Sequence, residues 1–164
     1  MVRFKNRFIV VEVNSNPKVQ DAPLQINNIT LTTAILQKVE ELHGQFGIAA
    51  INEGFAVKYC NAWTRVALVR IRHGPHQIVA SSLPFVTNLN KRTVMLNTLY
   101  VGATLCQCYK FLRIHQRRKL DKMWSKLHTE EERKEMEAAV MDLSSLEVLG
   151  NTVASVTCEK KEEE

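Results

Sequence analysis

Residues Leu96–Leu127 read LNTLYVGATLCQCYKFLRIHQRRKLDKMWSKL, and this stretch decides the fold because it joins a strand, a glycine turn and a long helix. In its second half apolar residues recur at steps of three and four, which is typical of an amphipathic helix. They are Leu105, Tyr109, Leu112, Leu120, Met123 and Leu127, with Gln116 as the polar residue in the row. The other face carries the cations Lys110, Arg113, Arg117, Arg118, Lys119, Lys122 and Lys126. Such a face is either solvated or a polyanion site, and the helix alone leaves both interpretations open.

Charge is distributed unevenly along the 164 residues, although the net charge is only +5. Residues 1–128 contain 18 Lys and Arg against 6 Asp and Glu, whereas residues 129–164 contain 4 against 11. We therefore predict a basic domain at 1–128 that ends in the long helix, followed at 129–164 by an acidic helix and a disordered tail. The basic balance favours nucleic acid over a membrane surface, because the cations are spread over several segments.

The order of the predicted elements indicates an α+β fold of the ferredoxin-like kind, βαββαβ, with a four-stranded antiparallel sheet and two helices on one face. The expected strands are Arg3–Val13, Phe46–Asn61, Arg65–Arg72 and Thr93–Val101, and the expected helices are Thr30–His43, ended by Gly44, and a second one after Gly74-Pro75. The strand centres are apolar on both sides, so we expect the long helix, or a partner protein, to cover the second face.

Shorter signals complete this prediction. Asn88–Arg92 is expected to be a basic turn, and Thr129–Glu132 reads as a capping box that starts a further helix to about Leu143. Gly102-Ala103-Thr104 opens the long helix. Backbone N–H groups at a helix start are able to hold a phosphate. Alternatively, Gly102 serves only the turn and Thr104 only caps the helix.

The residues do not suggest an enzyme. Metal-dependent cleavage of a phosphodiester needs clustered carboxylates, and those of the basic region are dispersed. His73 and His76 have no Cys or Asp nearby to complete a metal site, and the cysteines lack C-x-x-C spacing. We predict no catalytic residue, no metal ligand and no cofactor bound by the protein itself.

Contacts with RNA are expected to reach the phosphate backbone. An RNA recognition motif would place aromatic residues on its third strand, but RVALVRIR contains none, which argues against base stacking on an open sheet. The candidate contacts are Arg3, Lys5, Arg7, Arg72, Lys91, Arg92, Lys110, Arg113, Arg117 and Arg118.

A set of short motifs, in order and spacing, resembles the Pop-five family of protein subunits of ribonuclease P and ribonuclease MRP, in its eukaryotic form. The motifs are MVRFKNRF at 1–8, GQFG at 44–47, GFAVKY at 54–59, Asn61-Ala62, LPF at 83–85, NTLYVG at 97–102 and KFL at 110–112. One departure concerns Ala103-Thr104-Leu105-Cys106, where the family commonly has a cation at the last position. The expected phosphate contacts therefore move to Lys110, Arg113 and the cluster at 117–119.

The resemblance implies a non-catalytic subunit with a ferredoxin-like core that binds and stabilises the catalytic domain of an RNA. That RNA, carrying magnesium on its phosphates, would remove the 5′ leader of precursor tRNA in ribonuclease P and process precursor rRNA in ribonuclease MRP. The implied partners are both RNAs, precursor tRNA indirectly, a TIM-barrel-like subunit and a paralogous small ferredoxin-like subunit, with no membrane, in the nucleus and nucleolus.

Two other classes of function stay open on the residues alone. One is a ferredoxin-like regulatory module that binds a small metabolite, for which the basic surface would be incidental. The other is a membrane-surface adaptor that uses the cationic helix, which is disfavoured because the apolar stripe of that helix is needed by the sheet.

Overall fold

A computed structural model describes residues 5–15, 26–89, 92–124 and 130–141 of the chain. In these ranges five antiparallel strands form one sheet in the order β2-β3-β1-β5-β4, accompanied by four α-helices. The elements are β1 Asn6–Ser15, α1 Asn28–Asn52, β2 Ala56–Asn61, β3 Val66–Arg72, α2 His76–Ser82 followed by a 3-10 turn Leu83–Phe85, β4 Asn88–Leu89, β5 Arg92–Gly102, α3 Leu105–Trp124 and α4 Glu130–Met141.

The centre of the sheet is β1, which pairs with β3 on one side and with β5 on the other. Alternate side chains of a strand point to opposite faces, and in β1 both sets are apolar. Ile9, Val11 and Val13 pack on one face with α1 and α2, while Val10 packs on the other face with α3. Each residue from Ile9 to Val11 is fully buried, as expected for a strand that is covered on both faces.

The second face of the sheet is covered by α3, which confirms the assignment of the long helix to that place. Cys108 and Leu112 of α3 are fully buried against Val10 and Leu68, and Leu120 is nearly so. The following helix, α4, packs against α3.

The strand predicted at Phe46–Asn61 is wrong in its first half, because α1 continues through residues 45–52 after a kink at Gly44. Gly44 has φ 62° and ψ −160°, a conformation that only glycine adopts without strain, so the chain turns there and resumes as a helix. Gly47 and Ile51, one helical turn apart, are both buried. The apolar positions after the kink therefore keep a helical spacing rather than the alternation of a strand.

The sheet has five strands instead of the predicted four, because Asn88 and Leu89 pair with Thr93 and Arg92. The segment predicted as a basic turn thus contains paired strand residues at both ends, and residues 90–91 lie outside the described residues. The predicted capping residue Thr129 also lies outside them, as do residues 16–25 of the predicted loop and the tail beyond residue 141.

Two β-bulges decide which side chains reach α3. Val57 and Tyr59 are two residues apart on β2 and would share a face in a regular strand, but the register with β3 shifts between them. Val57 consequently packs beside α1, and Tyr59 packs beneath α3. The register of β5 with β1 shifts in the same way between Tyr100 and Thr98, with Leu99 as the extra residue.

Candidate nucleic-acid interface

Lys119 holds the C-terminal part of α3 on the sheet. Its ammonium group lies 2.5 Å from Oε1 of Glu12 on β1 and donates a 2.9 Å hydrogen bond to the carbonyl oxygen of Thr64. Burial raises the pKa of the Glu12 carboxyl, but the hydrogen bond and the charge of Lys119 outweigh it, so the pKa lies below its usual value. The sequence prediction counted Lys119 among the solvent-facing cations, which is wrong because its side chain reaches down to the sheet.

Gln116, the polar residue in the apolar row of α3, is fully buried at the same contact. Its Nε2 donates to the hydroxyl of Tyr59 at 3.3 Å, and Asn61 Nδ2 donates to the same oxygen at 3.1 Å. Asn61 Oδ1 in turn accepts the backbone N–H groups of Trp63 and Thr64. The polar residues thus link α3 to the turn between β2 and β3 and fix the rotation of the helix about its own axis.

Three of the predicted contacts form an exposed ridge along α3. Lys110, Arg113 and Arg117 stand at i, i+3 and i+7, which places them on one side of the helix, and all three are exposed. Arg118 is also exposed but projects about 100° further round the helix. The predicted cluster at 117–119 therefore points in three directions, and only Arg117 extends the ridge.

The first turn of α3 is capped from within the chain. Thr104 Oγ1 accepts the backbone N–H of Gln107 at 3.4 Å, and the Gln107 side chain accepts the N–H of Ala103 at 3.3 Å. This arrangement is close to a capping box, and it occupies two of the N–H groups that the sequence offered to a phosphate. Gly102 is required for packing, because a Cβ there would lie 2.6 Å from Cys108 Sγ.

The predicted contacts outside α3 do not gather in one place. Lys5 and Arg7 lie at the end of the sheet where α3 begins, because Phe8 pairs with Gly102. Arg72 is next to them, since it pairs with Asn6, and its guanidinium forms an ion pair with Glu53.

Arg92 is exposed at the start of β5, at the opposite end of the sheet from Arg7. Arg3 and Lys91 lie outside the described residues. The described candidates thus form an α3 ridge with Arg118 beside it, a group at the start of β1 and a separate cation, Arg92, near β4.

A column of three stacked rings lies on the flank of α3 opposite the ridge. The ring centroids of Tyr100 and Phe111 are 4.9 Å apart with planes at 11°, and those of Phe111 and His115 are 5.9 Å apart at 18°. All three residues are half-buried. The i, i+4 spacing of Phe111 and His115 was visible in the sequence, but the bulge that places Tyr100 beside them was not.

Titratable groups on both faces of the sheet have pKa values shifted away from reactive states. Burial, and then the positive charge of Lys119, lower the pKa of His115, so its ring is neutral at pH 7. Burial raises the pKa of the Cys60 thiol to about 12 and that of Cys108 to about 11, so neither is a thiolate nucleophile at neutral pH.

Within the described ranges, no three His, Cys, Asp or Glu side chains come together in a way that would hold a metal ion. No described helix is long and apolar enough to cross a membrane. His73 and His76, considered as possible ligands, have ring centroids 5.4 Å apart.

Residues 7–113 match the model of the Rpp14/Pop5 family, which is most of the fold just described. The chain belongs to the Rpp14/Pop5 family. The match runs from the first described residues of β1 through Arg113 on the α3 ridge, so it includes both faces of the sheet.

Similar members of the Rpp14/Pop5 family carry one name, ribonuclease P/MRP protein subunit POP5. The chain is 38% identical to the Bos taurus protein over 152 residues, covering 90% of this chain and 88% of that protein. It is 39% identical to the Homo sapiens protein over 125 residues, covering 73% and 75%, and 35% identical to the Mus musculus protein over 173 residues, covering 99% and 100%.

A solved structure of yeast ribonuclease MRP contains a chain with the same fold. Its TM-score to this chain is 0.51 at 14% sequence identity, covering 64% of this chain and 79% of that chain. The named relatives are ribonuclease subunits, so the comparisons give no support to a metabolite-binding module.

Proposed function

We propose that the chain is a non-catalytic protein subunit of ribonuclease P and ribonuclease MRP that binds and stabilises the catalytic domain of their RNA. The observation that carries the proposal is the family match over residues 7–113 together with relatives at 35–39% identity that bear the name of this subunit. The exposed ridge of Lys110, Arg113 and Arg117 provides positive charge of the kind that closely packed phosphates require.

The reactions that follow from this proposal are removal of the 5′ leader of precursor tRNA and processing of precursor rRNA, with cleavage performed by the RNA. Magnesium ions are then held by RNA phosphates, and the protein itself holds no cofactor. Precursor tRNA is a partner only indirectly, through the RNA.

The proposal also covers the protein partners, the ferredoxin-like type of the core and the location of the protein in the cell. A TIM-barrel-like subunit and a paralogous small ferredoxin-like subunit are the expected protein partners, in the nucleus and nucleolus. A ferredoxin-like core is supported by the order β2-β3-β1-β5 of the four longer strands and by the packing of α1 and α2 on one face. The short β4 is then an addition at the edge.

Affinity purification of the tagged full chain, with sequencing of bound RNA and mass spectrometry of bound proteins, tests the proposal. The expected result is enrichment of the two ribonuclease RNAs and of other ribonuclease subunits. A variant with Lys110, Arg113 and Arg117 all changed to Gln should recover less RNA, whereas Lys38→Gln should not, since Lys38 pairs with Glu41 on α1. Recovery of metabolic enzymes without either RNA would contradict the proposal.

A further inference from the structure

The ring column of Tyr100, Phe111 and His115 forms one wall of an open groove on the α3 side of the sheet. The helix follows β1, because Cys108 Sγ reaches the Phe8 carbonyl oxygen near one end and Lys119 reaches Glu12 near the other. β5 runs beside β1 in the opposite direction, so it passes along the flank of α3 that carries the rings.

The floor of this groove is the part of β5 that α3 leaves uncovered. Asn97 pairs with Glu12, whose side chain faces α3, and directly opposed residues of paired strands share a face. Met95 pairs with Asn14, whose amide donates to Glu12 and so lies on the same face. Both floor residues are exposed, Met95 to 59%.

The ring-bearing flank of α3 also carries two cations. Phe111, His115, Arg118 and Lys122 stand at i, i+4, i+7 and i+11 and form one stripe of the helix. Arg118 and Lys122 are exposed, and both charges act on His115. Glu12, whose carboxylate faces this side of the sheet, is held by Lys119, and Asp121 is exposed on α3 three residues after Arg118. The groove therefore places positive charge of α3 beside stacked rings, above a floor of one amide and one thioether side chain.

We propose that this groove binds a single-stranded segment of RNA, with an unpaired base stacked on the Tyr100–Phe111–His115 column and an adjoining phosphate held by Arg118. Aromatic rings combined with cations along a track are the combination by which proteins hold single-stranded nucleic acid. The neutral state of His115 suits this role, because an uncharged imidazole adds stacking surface.

The inference rests on the proposed function, since it identifies the polyanion as RNA, and it adds a contact that the α3 ridge does not provide. The ridge meets phosphates alone, whereas the groove distinguishes unpaired bases from a bare sugar-phosphate chain. The sequence argument against base stacking concerned an open sheet and does not apply to the flank of a helix.

Binding of the purified full chain to two short ligands at low salt tests the inference. One ligand is an oligouridylate, and the other is an abasic ribose-phosphate chain of the same length. We expect the oligouridylate to bind roughly 5- to 150-fold more tightly, which corresponds to one stacked base. Phe111→Leu, which keeps apolar volume but removes the ring, should reduce this ratio. Phe46→Leu is the matched control, because Phe46 is 78% exposed on α1.

The outcomes separate the inference from the proposed function. Equal affinity of the unmodified chain for both ligands would overturn base stacking and leave a phosphate-binding subunit intact. Binding of neither ligand would contradict RNA binding by the isolated chain as well.

Ultraviolet crosslinking of the oligouridylate, mapped by mass spectrometry, gives a readout that needs no substitution. Crosslinks are expected on the ring column, and crosslinks confined to the ridge side of α3 would overturn the inference.

Discussion

Lys119 shows how a single side chain holds a helix on a sheet. Replacing it by Met removes its contacts with Glu12 and with the Thr64 carbonyl and leaves a half-buried carboxylate without its cation. We expect the free energy of unfolding to fall by about 1–3 kcal/mol, measured by urea denaturation. Lys110→Met is the control and should change it by less than about 0.5 kcal/mol, because Lys110 is exposed.

A double variant tests the origin of that loss. Glu12→Gln combined with Lys119→Met should recover part of the stability, because a neutral amide is less costly to leave without a cation than a carboxylate. Strict additivity of the two losses would show that the pair does not interact.

Lowering the pH should reduce the free energy of unfolding through both His115 and Glu12, because both groups have lowered pKa values in the folded state. His115 has a pKa below its ordinary 6.5 in the folded state. Its contribution to the free energy of unfolding is therefore complete above pH 6.5 and is lost as the pH falls through the lower folded-state pKa. Glu12 has a pKa below its ordinary 4.5, so its contribution is lost at still lower pH. Urea midpoints should therefore decline steadily below pH 6.5.

His115→Phe tests this assignment, because it keeps a stacked ring and removes the titration. The decline of the urea midpoint just below pH 6.5 should become shallower in this variant, measured by a series of unfolding curves. Some decline should remain, because the pKa of His76 is also lowered by burial and by the charges of His73 and Arg7. An unchanged pH profile would show that His115 does not contribute.

At the scale of elements, the kink in α1 depends on Gly44. No atom lies within 4 Å of the position that a Cβ would occupy, so the cost of a side chain there arises from the backbone alone. Gly44→Ala should lower the free energy of unfolding by about 1–3 kcal/mol, measured by denaturation. Gln45→Ala, at an exposed helical position next to it, is the control and should leave stability within about 0.5 kcal/mol. A stabilised Gly44→Ala variant would indicate a straight helix.

How well each element could be predicted depended on whether its signal was local. The periodicity of α3 gave Leu112, Gln116 and Leu120 as buried residues, because spacing along one helix is a local property, but it missed Cys108. The helical continuation after Gly44 was missed because glycine usually ends a helix, and only contacts with the distant core show that residues 45–52 resume it. The bulges in β2 and β5 depend on pairing between strands, which spacing along a single strand does not reveal.

At the scale of the whole molecule, the cations of the α3 ridge are expected to bind RNA, whereas Lys38 on α1 is paired with Glu41. If about six phosphates are neutralised, the logarithm of affinity for single-stranded RNA should fall with the logarithm of salt concentration at a slope of roughly −4. Changing Lys110, Arg113 and Arg117 together to Gln should make that slope shallower by about 2, measured by fluorescence anisotropy. Lys38→Gln should leave it unchanged, and an equal change in both variants would assign the effect to net charge alone.

The sequence predicted the chemical character of the candidate site, which is a cationic surface, but only part of its location. A net positive domain and a cationic helix are properties of composition, and they pointed to the ridge. The sequence does not show which cations are already engaged inside the fold, so Lys119 was assigned to solvent. It also does not show that Arg92 and Arg7 lie at opposite ends of the sheet, since this follows from strand order.

The central position of β1 has a consequence for how the chain is made. β1 precedes every other described strand, yet Phe8 pairs with Arg70 and Gly102. At a translation rate of about 5–20 residues per second, the apolar segment Phe8–Val11 waits roughly 5 to 20 seconds for its last neighbour to be synthesised. In the first part of that interval neither edge is paired, because β3 has not been made, and throughout it the cover from α3 does not yet exist. Nascent chains should accordingly be clients of ribosome-associated chaperones until residues beyond α3 have emerged.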